Sequence, residues 1–234
     1  MNLQAPTNWQ ELTPDQVRKV AQIVSGGLTR EEMLSALFLQ LANAKLRVVK
    51  DDGGKARYYI AVGGQSAALT LEAFADLCNR FKWVLDEPPC GLASPFFADR
   101  YLMDVTFEHY FRADAMMTYY ADTDDKAWAE KALKELAPDT QGPFTAEDAN
   151  AMELYWAGLR TWLKWQYPDV FAGEPDEDAP YSPAETRKNI MLMLNDGHPQ
   201  DNEAIEQSSM HDVLASLQHK IEQTKRIEKQ LKNN

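Results

Sequence analysis

Helix starts punctuate this chain and limit what it can fold into. Thr13-Pro14-Asp15-Gln16, Thr29-Arg30-Glu31-Glu32, Thr145-Ala146-Glu147-Asp148 and Ser182-Pro183-Ala184-Glu185 each stand ahead of an apolar run. A Thr or Ser hydroxyl there accepts from the amide three residues on, and a side chain at that third position can reach back. Pro14 and Pro183 suit the first helical position, where no amide is needed. Behind the caps, apolar residues recur at helical spacing. Val17, Val20, Ala21 and Val24 share one face, and Met33, Leu34, Leu37, Phe38 and Leu41 the next. Phe107, Tyr110, Phe111 and Met117 form a third face, with Asp114 close to it. Met152, Tyr155, Trp156, Leu159 and Leu163 form a fourth, while Leu154 and Trp165 lie elsewhere on that helix. The helix that Thr145 opens is therefore expected to be buried on more than one side or to offer aromatics to a partner.

One β signal interrupts the helices. Leu46–Val49 and Arg57–Val62 are β-branched and aromatic, and Asp51-Asp52-Gly53-Gly54 between them is turn chemistry. Gly63-Gly64 stops the second strand. Thr70 opens a helix that runs to Leu85, with Leu69 and Phe74 placed as a hydrophobic staple. Pro88-Pro89 ends it. The expected fold is mainly α with a small N-terminal β-hairpin: a helical bundle with a protruding amphipathic C-terminal helix. The expected units are residues 1–87, an acidic aromatic-rich part at 97–207, and the closing helix at 208–234. Glu174–Pro180 reads as an acidic linker.

Charge is unevenly spread. The net charge is −12, with 0 over residues 1–103, −14 over 104–206 and +2 over 207–234. A middle this acidic disfavours nucleic acid and anionic membranes and favours a basic partner. No segment approaches the roughly 20 apolar residues that span a bilayer, and the first residues lack the basic start and apolar run of a signal peptide. The expected compartment is the cytoplasm. Cys78 and Cys90 are too few for a disulfide framework or a metal-ligand set.

Candidate chemistry is sparse. Asp196, His198 and Asp201 read as a helix stop beside an exposed His rather than as ligands. Asp122, Asp124 and Asp125 lack the Gly and the oxygen ligands of a calcium loop, since Lys126 follows them. Glu108 and His109 point apart on a helix. No nucleophile elbow, phosphate loop or dinucleotide motif is present, so neither an enzyme nor a cofactor is expected. One binding alternative is a winged-helix-like DNA-binding regulator. Helix, helix and hairpin come in a suitable order, and the hairpin carries Lys45, Arg47, Lys50, Lys55 and Arg57. Against it, Glu31-Glu32 opens the second helix and Asp51-Asp52 sits at the wing tip.

The C-terminal helix is the stronger binding candidate. Leu214, Leu217, Ile221, Thr224, Glu228 and Leu231 alternate at three and four, a seam that starts apolar and becomes polar. Lys225, Arg226, Lys229 and Lys232 crowd its C-terminal half. The expected partner contacts are Trp156, Trp162, Trp165, Leu214, Leu217, Ile221, Lys225, Arg226 and Lys229. The basic half can meet acidic surface on its own chain or on another copy, which would make a homo-oligomer.

The runs L-D-E-P-P (85–89), V-T-F-E-H-Y-F (105–111), W-Q-Y-P-D-V-F (165–171) and N-I-M-L-M-L-N-D-G (189–197), with N-E-A-I and V-L-A-S-L after them, resemble bacterial prophage proteins encoded near the tail tape-measure protein. The resemblance implies a tail-assembly chaperone or related morphogenesis factor, acting in the bacterial host cell on a phage tail or tape-measure protein. It carries over no active-site residue.

Overall fold

The caps lie where the sequence places them. In the computed structural model, which describes residues 5–50, 56–140, 142–172, 182–196 and 198–232, Thr13 and Thr29 each close a reciprocal capping box, with Gln16 and Glu32. They open α1 (Pro14–Ser25) and α2 (Arg30–Leu41). Strands β1 (Lys45–Lys50), β2 (Ala56–Val62) and β3 (Gln65–Leu69) follow as an antiparallel sheet in the order β1-β2-β3. The hairpin thus has a third strand. Gly63 and Gly64 do not end the sheet; both take positive φ (56° and 81°) and turn the chain from β2 into β3. Two successive positive φ values suit the tight turns that match strand twist. The turn expected at Asp51–Gly54, and Lys55 after it, lie outside the described residues.

Register decides which face of the sheet is wet. Lys45, Arg47 and Val49 pair with Ala61, Tyr59 and Arg57, so these six share one face. The other face carries Ile60, which is fully buried, and Tyr58, which stacks on Phe74 at 6.4 Å. Phe74 belongs to α3 (Leu71–Asn79), capped by Thr70 as expected. The helix expected to reach Leu85 breaks at Arg80–Lys82, and α4 (Trp83–Asp86) resumes. The amides of Arg80, Phe81 and Lys82 bond three residues back, at 3.3, 3.0 and 3.2 Å, which tightens the turn. The tightened turn lets Phe81 pack on Phe38 and Trp83 meet Trp9 edge-on at 5.2 Å.

The rest is helical: α5 (Phe107–Thr123), α6 (Lys126–Leu136), α7 (Ala146–Gln166), α8 (Pro168–Phe171), α9 (Pro183–Leu194), α10 (Asn202–Gln207) and α11 (Met210–Lys232). Thr145 and Asp148 close a third reciprocal box, and Ser182 accepts from the Glu185 amide. The linker Glu174–Pro180 and the helix stop at Gly197 lie outside the described residues. Helix α7 is buried on more than one side: it packs on α1, α5, α6 and α8. One connected set of buried apolar residues runs from Trp9 to Leu217.

Arg18 ties α1 to α7. Its guanidinium pairs with Asp148, donates to the Pro95 carbonyl at 3.1 Å and lies 4.6 Å over the Phe96 ring. Burial raises the Asp148 pKa, but the Thr145 amide and hydroxyl and the Arg18 charge outweigh it. The carboxyl is held below its ordinary value of 3.8. A carboxyl depressed in the folded state stabilises the fold above its unfolded pKa, and that contribution is lost as pH falls through the folded value. Thermal unfolding followed downward from pH 6 is therefore expected to show a loss of midpoint below about pH 4, with a shallower loss in Asp148→Asn. Parallel curves for the two proteins would show that Asp148 does not contribute to it.

Candidate functional site

Helix α11 begins inside the fold and ends outside it. Its start is pinned to the segment before α5. The amides of Phe107 and Met210 donate to the carbonyls of Ser208 and Val105, both at 2.9 Å. Ser209 Oγ donates to the Met103 carbonyl at 3.0 Å and accepts from the His211 amide at 3.2 Å, which caps the start of the helix. His211 is buried: Nε2 donates to the Tyr101 carbonyl at 2.8 Å, and the Tyr167 hydroxyl meets Nδ1 at 2.9 Å. Burial and then the Asp212 charge push the Tyr167 hydroxyl up, so it stays a donor. Met210, Val213, Leu214 and Leu217 are buried against α5, α8 and α9, the helices on which α11 packs.

Further along, the contacts become polar and then stop. Gln218 Oε1 accepts from the Asp169 amide at 3.0 Å. Lys220 Nζ donates to the Met193 carbonyl at 2.7 Å and pairs with Asp196. Lys225 pairs with Asp169 at 2.6 Å. From Gln223 to Lys232 every residue is exposed. Ile227 is 57% exposed and Leu231 71%.

The residues expected to touch a partner are thus placed differently from one another. Leu214 and Leu217 face the chain's own core, and Ile221 is half-buried at its edge. Lys225 is paired, Arg226 lies 3.9 Å from Glu222 on its own helix, and Lys229 is exposed. Trp156 is buried and donates to Asp114 at 2.8 Å. Trp162 is half-buried and stacks on Tyr101 at 4.1 Å. Trp165 alone of the three stands in solvent, 72% exposed. Ile227 was not singled out in the sequence; its spacing from Leu217, Thr224 and Leu231 is the signal that finds it.

The other candidates stay apart. Lys45, Arg47 and Arg57 lie on the solvent face of the sheet around Tyr59, and Lys50 lies on the opposite face at its end. Helix α2 presents Glu31 and Glu32 in its first turn, with Glu32 held by the Thr29 cap and Arg30 by Asp86 at 2.6 Å. Glu108 pairs with Arg112 at 2.5 Å. His109 contacts Thr106 Oγ1 at 2.9 Å and Glu135 at 3.8 Å, beside a cleft of about 440 Å³. Asp114 is not among the residues lining that cleft; it accepts from Trp156 and Arg160 inside the fold. Asp125 caps α6 through the Ala127 amide. Among the described residues, no three His, Cys, Asp or Glu side chains gather as metal ligands, and no helix is long and apolar enough to cross a membrane. Burial pushes the Cys78 and Cys90 thiols up, away from the reactive thiolate. No family model, curated protein or solved structure matches the chain.

Proposed function

We propose that this chain is an assembly factor that works by binding another protein. The observation that carries the reading is the free half of α11, an amphipathic helical segment with Ile227 and Leu231 in solvent. Apolar side chains left in water gain free energy from a surface that buries them, so Ile227 and Leu231 favour a covering partner. Helix-in-groove packing is the matching recognition mode. The resemblance to prophage proteins gives the reading its specific form: a tail-assembly chaperone whose client is the long helical tape-measure polypeptide.

The test is co-expression with the tape-measure polypeptide of the same genome. The full chain is expected to keep that client soluble and to co-elute with it. A chain truncated after Glu222 is expected to leave the client in the pellet. Equal client solubility with and without the full chain would sink the proposal.

A further inference from the structure

The geometry points to single-stranded nucleic acid as the ligand of the sheet's solvent face, a site separate from α11 and from the protein-binding reading. Residues 45–69 hold five bases and two acids, net +3, in a chain of net −12. The two acids, Asp51 and Asp52, follow Lys50 in the sequence, whereas Lys45 opens β1. Lys45 and Arg47 are exposed, and among the described residues neither has an ion-pair partner, unlike Arg18, Arg30 and Arg112. Between these cations stands Tyr59. Arg47 lies directly across from it on β1 and Ala68 directly across on β3, with Arg57 two residues along β2. Paired side chains are about 5 Å apart, so Arg47 borders the ring on one side and an alanine leaves room beside it on the other. Tyr59 is half-buried. Alone among the described tyrosines, it has neither a ring contact nor a hydroxyl bond. Tyr58, on the opposite face, stacks on Phe74.

Chemistry selects the ligand. An unpartnered ring with cations around it suits a nucleobase and its phosphates: the base stacks on the aromatic face, and Lys and Arg take the backbone charge. An acidic amphipathic helix needs an apolar groove. Among the described residues, the one aliphatic side chain larger than alanine on this face is Val49. Duplex DNA admits a two-stranded ribbon into its major groove, and β3 broadens this sheet beyond a ribbon. A single strand laid across the face meets both the ring and the cations.

The test is anisotropy titration of a labelled oligothymidine of about 12 nucleotides against the full chain. Oligouridine, a duplex of the same length and polyglutamate are the other arms. Binding of either single strand is expected and supports the proposal, the two arms separating DNA from RNA. Log affinity is expected to fall against log salt with a slope of about −1.4 to −2.1, for two or three phosphates. The duplex and polyglutamate are expected to bind at least about tenfold more weakly. Tyr59→Ala is expected to weaken strand binding at least about fivefold, while Tyr59→Phe, which keeps the ring, stays near wild type. Lys45→Glu/Arg47→Glu, which changes exposed side chains only, is expected to abolish binding. Three results overturn the proposal. The first is no binding of either strand at roughly 20 mM salt. The second is polyglutamate bound as tightly as the strands with Tyr59→Ala silent, which would make this an acidic-protein surface. The third is a duplex bound more tightly than either strand. Truncation after Glu222 is expected to leave strand binding intact, so this reading and the assembly reading fail independently.

Discussion

Asp114→Ala is expected to lose about 3 kcal/mol of stability in urea unfolding, since removing one partner of a buried charged pair strands the other. The Asp114 side chain is fully buried on α5. Its carboxylate accepts from Trp156 Nε1 at 2.8 Å and from Arg160 Nε at 2.8 Å, and Arg160's second nitrogen lies 2.6 Å away. Arg160 also donates to Thr118 Oγ1 at 3.0 Å, so the guanidinium bridges two turns of α5. Alanine leaves an indole N–H without this acceptor inside the core, and a cation whose side chain is about one-third exposed and so regains some water. That partial exposure holds the expected loss at the lower end of the range for broken buried pairs. Asp114→Asn keeps an acceptor for Trp156 and loses the charge, so it should fall between wild type and alanine. Trp156→Phe removes the donor together with part of a buried ring, and the lost hydrogen bond should cost about 1 kcal/mol beyond the lost packing. The Asp114→Ala/Trp156→Phe double mutant should cost less than the sum of the two, because both disrupt one network. A loss below about 1 kcal/mol for Asp114→Ala would show that the carboxylate is not what joins α5 to α7.

This centre shows where sequence reading runs out. Asp114 stands out in the sequence as a carboxylate beside an aromatic stripe, and Arg112 is the local candidate for its partner. Arg112 instead pairs with Glu108 and Glu135, and the partner of Asp114 lies 46 positions away on another helix. Caps are legible because both halves of each bond lie within four residues. A pairing across helices is not, because spacing within one helix carries no information about its neighbour. Strand β3 was hidden for a different reason. Gln65-Ser66-Ala67-Ala68-Leu69 has no β-branched or aromatic residue, and its residues are exposed up to Leu69. The ladder with β2 and the turn at Gly63-Gly64 hold it, not its own propensity.

The closing helix was legible in outline and ambiguous in register. Two alternations of three and four run through it and share Leu217, Thr224 and Leu231. One includes Ile221 and Glu228 and reads as a seam that decays. The other includes Met210, Val213, Lys220 and Ile227; it turns polar at Lys220 and Thr224 and ends apolar at Ile227 and Leu231. Burial of Met210 and Val213 identifies the second as a stripe that starts in the core. Leu214 is buried as well, because the body clasps the first turns of α11 over more than one seam's width. Periodicity marks a face as apolar; it does not say whether the chain's own core or a partner covers it. Only the packing of α5, α8 and α9 on the first half makes that division.

Gly158→Leu should be among the most damaging single substitutions, at about 3 kcal/mol, the upper part of the range for overpacking. Gly158 lies mid-helix in α7, where glycine costs about 1 kcal/mol relative to alanine. Its neighbour explains it. A Cβ placed there would lie 2.9 Å from one Leu92 methyl and 3.0 Å from Leu92 Cγ. Leu92 is 1% exposed, packed inside the core. The Gly91 amide also approaches the Gly158 carbonyl at 3.4 Å, so the loop backbone runs close along the helix here. A leucine must push that loop off α7. Gly158→Ala is the informative control. Its gain in helix propensity, about 1 kcal/mol, is of the same order as the strain of one displaced methyl, so its stability should lie within about 1 kcal/mol of wild type. Adding Leu92→Ala to Gly158→Leu should recover part of the loss, since the smaller side chain vacates the space the larger one needs. Leu92→Ala alone should cost about 2 to 4 kcal/mol through the cavity it leaves. Recovery in the pair, measured by urea unfolding against both single variants, would place the cost in the Gly158–Leu92 contact. Strict additivity would place it in the helix backbone.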